Sequence, residues 1–185
     1  MQARNQSGFS ILELMVVFAL ISMLGAFVVP NFFRQQQGVE RKEFLNKFEM
    51  LVKDAVLLSV IKNKVHQIYY NVTNEVVQIR VHDATSIEAN EHKKFAKVDD
   101  QDYLTEIKFL KNFKIINFFI DGLDGVASGS TLIDVMFYIM PDGTSQPVVA
   151  NIIDQSDDVA QDVKFSFVIN PFYARIFVYD RFQTP

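Results

Sequence analysis

The chain has 185 residues, of which 49% are hydrophobic and 22% are charged, with a formal net charge of −4 and no cysteine. This composition is too apolar for a disordered chain and too rich in charge for a multi-span membrane protein. The acidic balance disfavours phosphate-mediated binding to nucleic acid. The absence of cysteine excludes disulfides, thiolate metal sites and thiol nucleophiles.

The N-terminus changes character after its first few residues. Residues 1–8 are polar, whereas residues 9–29 (FSILELMVVFALISMLGAFVV) are almost entirely apolar. A membrane-spanning helix needs about 20 apolar residues, so the length suits one crossing. A cleaved secretory signal is disfavoured because the run is long and bulky residues precede Pro30. A buried helix of a soluble domain is rarely apolar on every face, so the run predicts a single-pass membrane anchor.

Glu13 is the one charged residue inside this apolar run. A carboxylate in hydrocarbon costs on the order of 2.5–3.5 kcal/mol even on the mildest insertion scale. Either Glu13 lies near the bilayer edge and reaches water, or it has a cationic partner. No nearby side chain supplies that cation. A free α-amino group at Phe9 would supply it if the chain were cut between Gly8 and Phe9.

The residues from Gly8 to Leu14 (GFSILEL), close to the N-terminus and before an apolar helix, resemble the type IV pilin class. That class includes pilins and the pseudopilins of type II secretion. The resemblance implies cleavage after Gly8 by a prepilin peptidase and N-methylation of Phe9. It also implies that Glu13 pairs with the terminal amine of a neighbouring subunit during assembly.

The orientation of the anchor does not follow from the distribution of basic residues. The leader holds only Arg4, while Arg34, Arg41 and Lys42 follow the apolar run. Counting Lys and Arg therefore does not favour a cytoplasmic N-terminus. The resemblance implies the bacterial inner membrane, with the C-terminal domain in the periplasm and the processed protein in a filament.

Gly25 and Pro30 are predicted to break the helix. Proline removes a backbone donor and disfavours helix at the residue before it. A kink or a stop at the membrane interface is one explanation. The resemblance implies another, because the corresponding segment can lose helical structure in assembled filaments of this class.

Residues 30–62 are predicted to form an amphipathic stem helix. Charged residues occupy one side, and apolar residues recur at spacings of three and four on the other. The predicted apolar stripe consists of Phe44, Phe48, Leu51, Ala55 and Leu58, widened by Val52, Val56 and Ile61.

After Lys62 the hydrophobic period changes to two, which is typical of strands. Polar or glycine-containing stretches at 83–102, 121–130 and 154–162 are predicted to be loops, and Pro141-Asp142-Gly143 a turn. Because no helices separate the strands, antiparallel pairing is favoured. The predicted strands are 65–71, 75–82, 104–110, 113–120, 132–140, 146–153, 163–169 and 172–179.

These elements predict an α+β fold. A long N-terminal helix, with a transmembrane half and an amphipathic half, packs on a small antiparallel β-sandwich of two sheets. The predicted divisions are a prepilin leader at 1–8, a transmembrane and assembly helix at 9–29, the stem at 30–62 and a periplasmic β-domain at 63–185.

Two further segments resemble the H-type minor pseudopilins of type II secretion and their FimT/FimU-like pilus relatives. One runs from Ala55 to Tyr69 across the end of the stem. The other comprises Phe137-Tyr138, Pro141-Asp142-Gly143 and Ser145, followed by a strand.

No catalytic motif is evident, so we expect neither an enzyme nor a cofactor or metal. The histidines at 66, 82 and 92 have no metal-ligand spacing and are predicted to be surface or edge-strand residues. The carboxylate pairs at 99–100 and 157–158 are predicted to be solvated. The loop from Asp121 to Gly125 has oxygen ligands for calcium, but it departs from the EF-hand pattern and a plain turn is favoured.

The sequence therefore predicts a structural subunit, a minor pseudopilin of the type II secretion pseudopilus. Its expected partners are other major and minor pseudopilins, prepilin peptidase, the inner-membrane assembly platform and membrane lipid, but not nucleic acid. One alternative is a minor type IV pilin of a surface or DNA-uptake pilus. An alternative of a different class is an uncleaved, signal-anchored periplasmic binding or sensor domain.

Overall fold

The structure, a computed structural model, describes residues 11–83, 94–126, 134–155 and 163–185, without the side chains of residues 27–38. The chain divides into two compact units, Met1–Glu40 and Arg41–Pro185. The predicted leader and Phe9 lie outside the described residues.

One helix, α1, is present in the described residues and runs from Ile11 to Lys62. It continues through Gly25 and Pro30, so a stop of the helix at Pro30 is not observed, while a kink or a loss of helix on assembly stays a prediction. The helix ends as Asn63 takes a left-handed conformation with φ of 48°. The N–H of Lys64 then donates to the carbonyl of Ser59 over 3.2 Å, the backbone closure typical of helix C-termini.

The C-terminal part of α1 buries an apolar stripe within the second unit. Most of the predicted stripe is confirmed, because Phe44, Phe48, Leu51, Val52, Ala55 and Leu58 are all buried. The prediction is wrong for Ile61, which is 61% exposed. Ile61 projects outside the arc of the helix that the buried positions cover, although its spacing along the chain suits the stripe.

The first sheet contains five strands. They are β1 (His66–Asn71), β2 (Val76–His82), β3 (Phe95–Lys97), β4 (Glu106–Lys108) and β7 (Asp134–Ile139). Their order is β3-β2-β1-β7, and β4 pairs with β2 beside β3. All of these pairings are antiparallel.

The second sheet also contains five strands and is antiparallel throughout. They are β5 (Phe113–Ile120), β6 (Leu123–Asp124), β8 (Val148–Asp154), β9 (Val163–Ile169) and β10 (Ile176–Tyr179). Their order is β10-β9-β8-β5-β6. The predicted α+β class with two antiparallel sheets is confirmed.

Three short elements differ from the sequence predictions. β3 lies within a segment predicted to be loop, and β6 lies within the predicted loop after β5. β10 begins only at Ile176, because the chain turns at Ala174, whose φ is +47°. Strands of two to four residues carry too little alternation to be recognised from sequence.

Aromatic side chains join α1 to both sheets in one core. The ring of Phe44 meets the rings of Phe109 and Phe113 edge-on at centroid distances of 5.3 Å. The ring of Phe48 lies 4.9 Å from that of Phe167 in β9. A cavity of about 30 Å³ between these rings is also lined by Ile68 and Phe137 of the first sheet and by other apolar side chains. The packing contribution of such rings exceeds their area burial alone.

The predicted Pro141-Asp142-Gly143 turn is observed between β7 and β8. Gly143 has a φ of +84°, which favours glycine. A Cβ at this position would lie 3.6 Å from a methyl of Val60 and 3.7 Å from one of Val56, so the turn packs closely on α1.

Candidate functional site

The candidate site is the N-terminal segment of α1 around Glu13. Glu13 lies in the first turn of the helix, and its side chain is exposed. Gly8 and Phe9, the predicted cleavage and methylation positions, lie outside the described residues. Their predicted roles, and the pairing of Glu13 with an amine, remain predictions.

The apolar side chains around Glu13 are exposed on every face of the helix. From Ile11 to Leu24 each residue is exposed, with Ile11 at 81% and Leu12 at 72%. The hydroxyl of Ser22 donates to the carbonyl of Phe18 over 2.8 Å, so it is satisfied within the helix. An exposed apolar surface of this extent marks a site for lipid or for other protein chains.

Within the parts of the chain that the structure describes, no helix combines the length and the hydropathy needed to cross a membrane.

The surroundings of Glu13 contain no basic side chain between Ile11 and Ala26. In an apolar environment an isolated carboxylate is strongly disfavoured unless a cation lies beside it. No side chain of this segment supplies such a cation.

The candidate metal ligands of the chain lie in the second unit. Among the residues described, no group of three or more His, Cys, Asp or Glu side chains is placed to hold a metal ion. In the candidate calcium loop, Asp124 accepts hydrogen bonds from the side chain of Asn117 and from the N–H groups of Phe118 and Val126. Asp121 accepts one from Gln146. These carboxylates therefore shape the turn after β5.

His66 corrects one prediction. It was expected at the surface, but in β1 it is fully buried. Its Nδ1–H donates to the carbonyl of Lys64 over 2.9 Å, while its Nε2 has no partner among the described residues. Burial lowers the pKa of His66, because it disfavours the charged ring. His82 in β2 stacks edge-on against Phe95 at 5.3 Å, and His92 lies outside the described residues.

The two carboxylate pairs were predicted to be solvated, and the structure describes one of them. Asp100 forms an ion pair of 3.1 Å with Lys62 at the end of α1, so it is less solvated than predicted. The pair at 157–158 lies outside the described residues.

Sequence reasoning missed an exposed aromatic pair. Phe172 and Tyr173 were read as the start of a strand, but they lie in the turn between β9 and β10 and are 73% and 79% exposed. The turn-forming Asn170-Pro171 immediately before them is the signal that would have separated them from the strand.

Comparison with known proteins bears on the N-terminal segment. Residues 3–29 match the family described as the prokaryotic N-terminal methylation motif. This match confirms, for that segment, the resemblance to type IV pilin-like proteins. No curated protein matches the chain.

Among solved structures, two of the minor pseudopilin EpsH from the type II secretion system of Vibrio cholerae are similar to this chain. Each is 7% identical with a TM-score of 0.47. One match covers 77% of this chain and 94% of EpsH, and the other covers 80% and 95%.

Proposed function

We propose that this chain is a minor pseudopilin, a structural subunit of the type II secretion pseudopilus rather than an enzyme. Prepilin peptidase cleaves it after Gly8 and Phe9 is N-methylated. The protein is then held in the bacterial inner membrane by the helix at residues 9–29, with residues 63–185 in the periplasm. The assembly platform extracts it into a filament with other major and minor pseudopilins.

The observation that carries this proposal is the isolated Glu13 in an exposed apolar helix, within the segment that matches the methylation motif. Cleavage after Gly8 would create an α-amino group at Phe9, four residues before Glu13 in the sequence. The amine of one subunit and the carboxylate of its neighbour neutralise each other only when the two helices are in register. The pair therefore selects the correct axial alignment of neighbouring helices more than it adds net stability.

The choice of the H-type minor pseudopilins rests on the second resemblance. The Pro141-Asp142-Gly143 turn belongs to that pattern, and it packs on Val56 and Val60 near the end of the stem. This contact gives the shared motif a structural role, because it fixes the β7–β8 hairpin against the helix.

Mass spectrometry of the protein purified from its native host tests the proposal. We expect a mature chain that begins with N-methylated Phe9. A chain that retains residues 1–8 contradicts the proposal and favours the uncleaved, signal-anchored periplasmic domain.

A gene deletion separates the two filament types. For a pseudopilin, we expect loss of extracellular protein secretion with surface piliation unchanged, and rescue by the wild-type gene. Loss of piliation or DNA uptake with normal secretion would assign the chain to a type IV pilus instead.

A further inference from the structure

The arm that follows β9 carries most of the exposed apolar surface of the β-domain. Eight large apolar side chains are exposed between residues 66 and 185 of the described chain, and five of them lie within residues 172–179. They are Phe172, Tyr173, Phe177, Val178 and Tyr179. Such a concentration of exposed apolar surface in one short segment marks an interaction site.

This arm is held in a defined conformation. The N–H of Phe172 donates to the side-chain oxygen of Asn170 over 2.9 Å, and the N–H of Asn170 donates to the carbonyl of Arg175 over 2.9 Å. Ala174 is buried, and its positive φ is unusual for a residue with a Cβ. The aromatic side chains are therefore presented from an ordered backbone.

β10 is also an open edge of the second sheet. Among the strands of the described residues it pairs with β9 alone, in the register Ile176 opposite Ile169. The N–H of Asn170 donates to the carbonyl of Arg175, so these two residues form a hydrogen-bonded pair. Along an antiparallel ladder, hydrogen-bonded pairs alternate with pairs whose backbone groups point away from each other. The N–H and C=O groups of Ile176 and Val178 consequently point away from β9, towards the open edge.

Other sheet edges are protected in ways that β10 is not. β6 has two residues and β3 has three. The end of β7 is covered because Gln146 exchanges hydrogen bonds with the backbone of Tyr138. β10 contains no lysine, proline or register shift, the usual devices that prevent strand addition.

Among the described residues, the charged side chains of this arm and of the adjoining end of β9 are mostly basic, although the chain as a whole is acidic. Lys164, Arg175 and Arg181 are exposed there, together with the acidic Asp180. The guanidinium of Arg175 lies 5.4 Å from the ring centre of Phe177, on the face of the strand that bears the aromatic side chains. Within the part of the chain that the structure describes, none of these three cations forms an ion pair.

We infer that the β10 edge binds an extended, acidic and apolar segment of a partner protein by strand addition. The backbone groups of Ile176 and Val178 supply the hydrogen bonds, and the side chains of these two residues contact alternate apolar residues of the partner on one face of the strand. The acidic residues between them lie on the other face, beside Arg175. A second copy of this chain would bring its own Arg175 and Arg181 to the same edge, where like charges oppose pairing. This site goes beyond the proposed role of Glu13 and does not depend on it.

A pair of synthetic peptides tests the inference on the full chain in detergent micelles. One is an acetylated and amidated hexapeptide of alternating valine and glutamate, and the other replaces glutamate by lysine. We expect the acidic peptide to bind at least about tenfold more tightly and to slow hydrogen exchange at the amides of Ile176 and Val178. Equal binding of both peptides, or protection at another edge, overturns the inference.

Two variants locate the site. Val178→Pro removes an outward N–H while leaving the bonds to β9, because proline is tolerated on the solvent side of an edge strand. Arg175→Glu reverses one charge on the exposed face, so it tests the site even if the proline variant fails to fold. Both should weaken binding of the acidic peptide by at least about tenfold, and the matched control Leu123→Ala, in β6, should not.

Unaltered binding by Arg175→Glu contradicts the charge selection. Slowed exchange at Ile176 and Val178 that rises with protein concentration in the absence of peptide shows that a second copy occupies the edge, which also overturns the inference.

Discussion

One helix carries two different distributions of apolar side chains. Between Ile11 and Leu24 every residue is exposed, whereas between Phe44 and Leu58 most of the apolar residues form a buried stripe, and the charged residues lie mainly on the other side. An apolar stripe on one side of a helix can be buried against the sheets of the same chain. A helix that is apolar on every face needs lipid or other chains around it. The first region thus depends on intermolecular contacts and the second on intramolecular packing.

Replacing Glu13 tests whether the exposed apolar segment of α1 acts in contacts between subunits. In Glu13→Ala and Glu13→Gln, we expect membrane insertion to be kept or improved, because the cost of a carboxylate in hydrocarbon is removed. Incorporation into filaments should fall by at least about tenfold if Glu13 pairs with the terminal amine of a neighbouring subunit as proposed, because that pair is then lost. Quantitative immunoblotting of sheared filaments measures this. Ser22→Ala, in the same segment, is the control, and normal assembly of the Glu13 variants would refute the assigned role.

Truncating Phe48 tests whether the buried stripe of α1 is the face that packs within the chain. Its ring is buried against Phe167, so Phe48→Ala should lower the free energy of unfolding by about 3–5 kcal/mol. Met50 lies on the exposed side of the same helix, and Met50→Ala should change it by less than about 0.5 kcal/mol. Denaturant unfolding of the full chain in detergent measures both. Similar losses in the two variants would mean that the stripe is not the packing face.

The C-terminal tail is joined to the second sheet by hydrogen bonds. The amide of Asn151, buried in β8, donates to the carbonyl of Gln183 over 2.9 Å and accepts from its N–H over 3.0 Å. Asn151→Ala should cost about 1–3 kcal/mol and speed hydrogen exchange at the Gln183 amide. Gln155→Ala, exposed just after β8, is the control. Unchanged exchange at Gln183 would show that other contacts hold the tail.

Acidification should weaken the β-domain slightly through His66. Burial lowers the pKa of His66 below its unfolded value of about 6.5, so the unfolded chain binds a proton first as pH falls. Stability is therefore full above about pH 6.5 and decreases below it, by at most about 1.4 kcal/mol per pH unit for one group. Unfolding of the wild type and of His66→Asn at pH 7.5 and 5.5 measures the difference. An equal pH dependence in both proteins would contradict this.

Long elements with a clear period were predictable from sequence. The bounds of β5 and β9 agree with the predictions because turn-forming or polar residues flank each alternating segment. The stripe of α1 was predictable for the same reason. His66 was misplaced because burial depends on which element covers a residue. Ile61 was misplaced because its spacing suits the stripe although it lies outside the arc of the helix that the buried positions cover.

The sequence by itself determined the character of the N-terminal segment, since a lone acid in an all-round apolar run is a property of neighbouring residues. It also determined the class of the fold, because hydrophobic period is local. Only the tertiary structure decided that β4 pairs beside β3 on β2, that Gln183 lies on Asn151, and that β10 is left as an open edge. These features join residues far apart in the chain, and such pairings are selected by the packing of the whole domain rather than by local sequence.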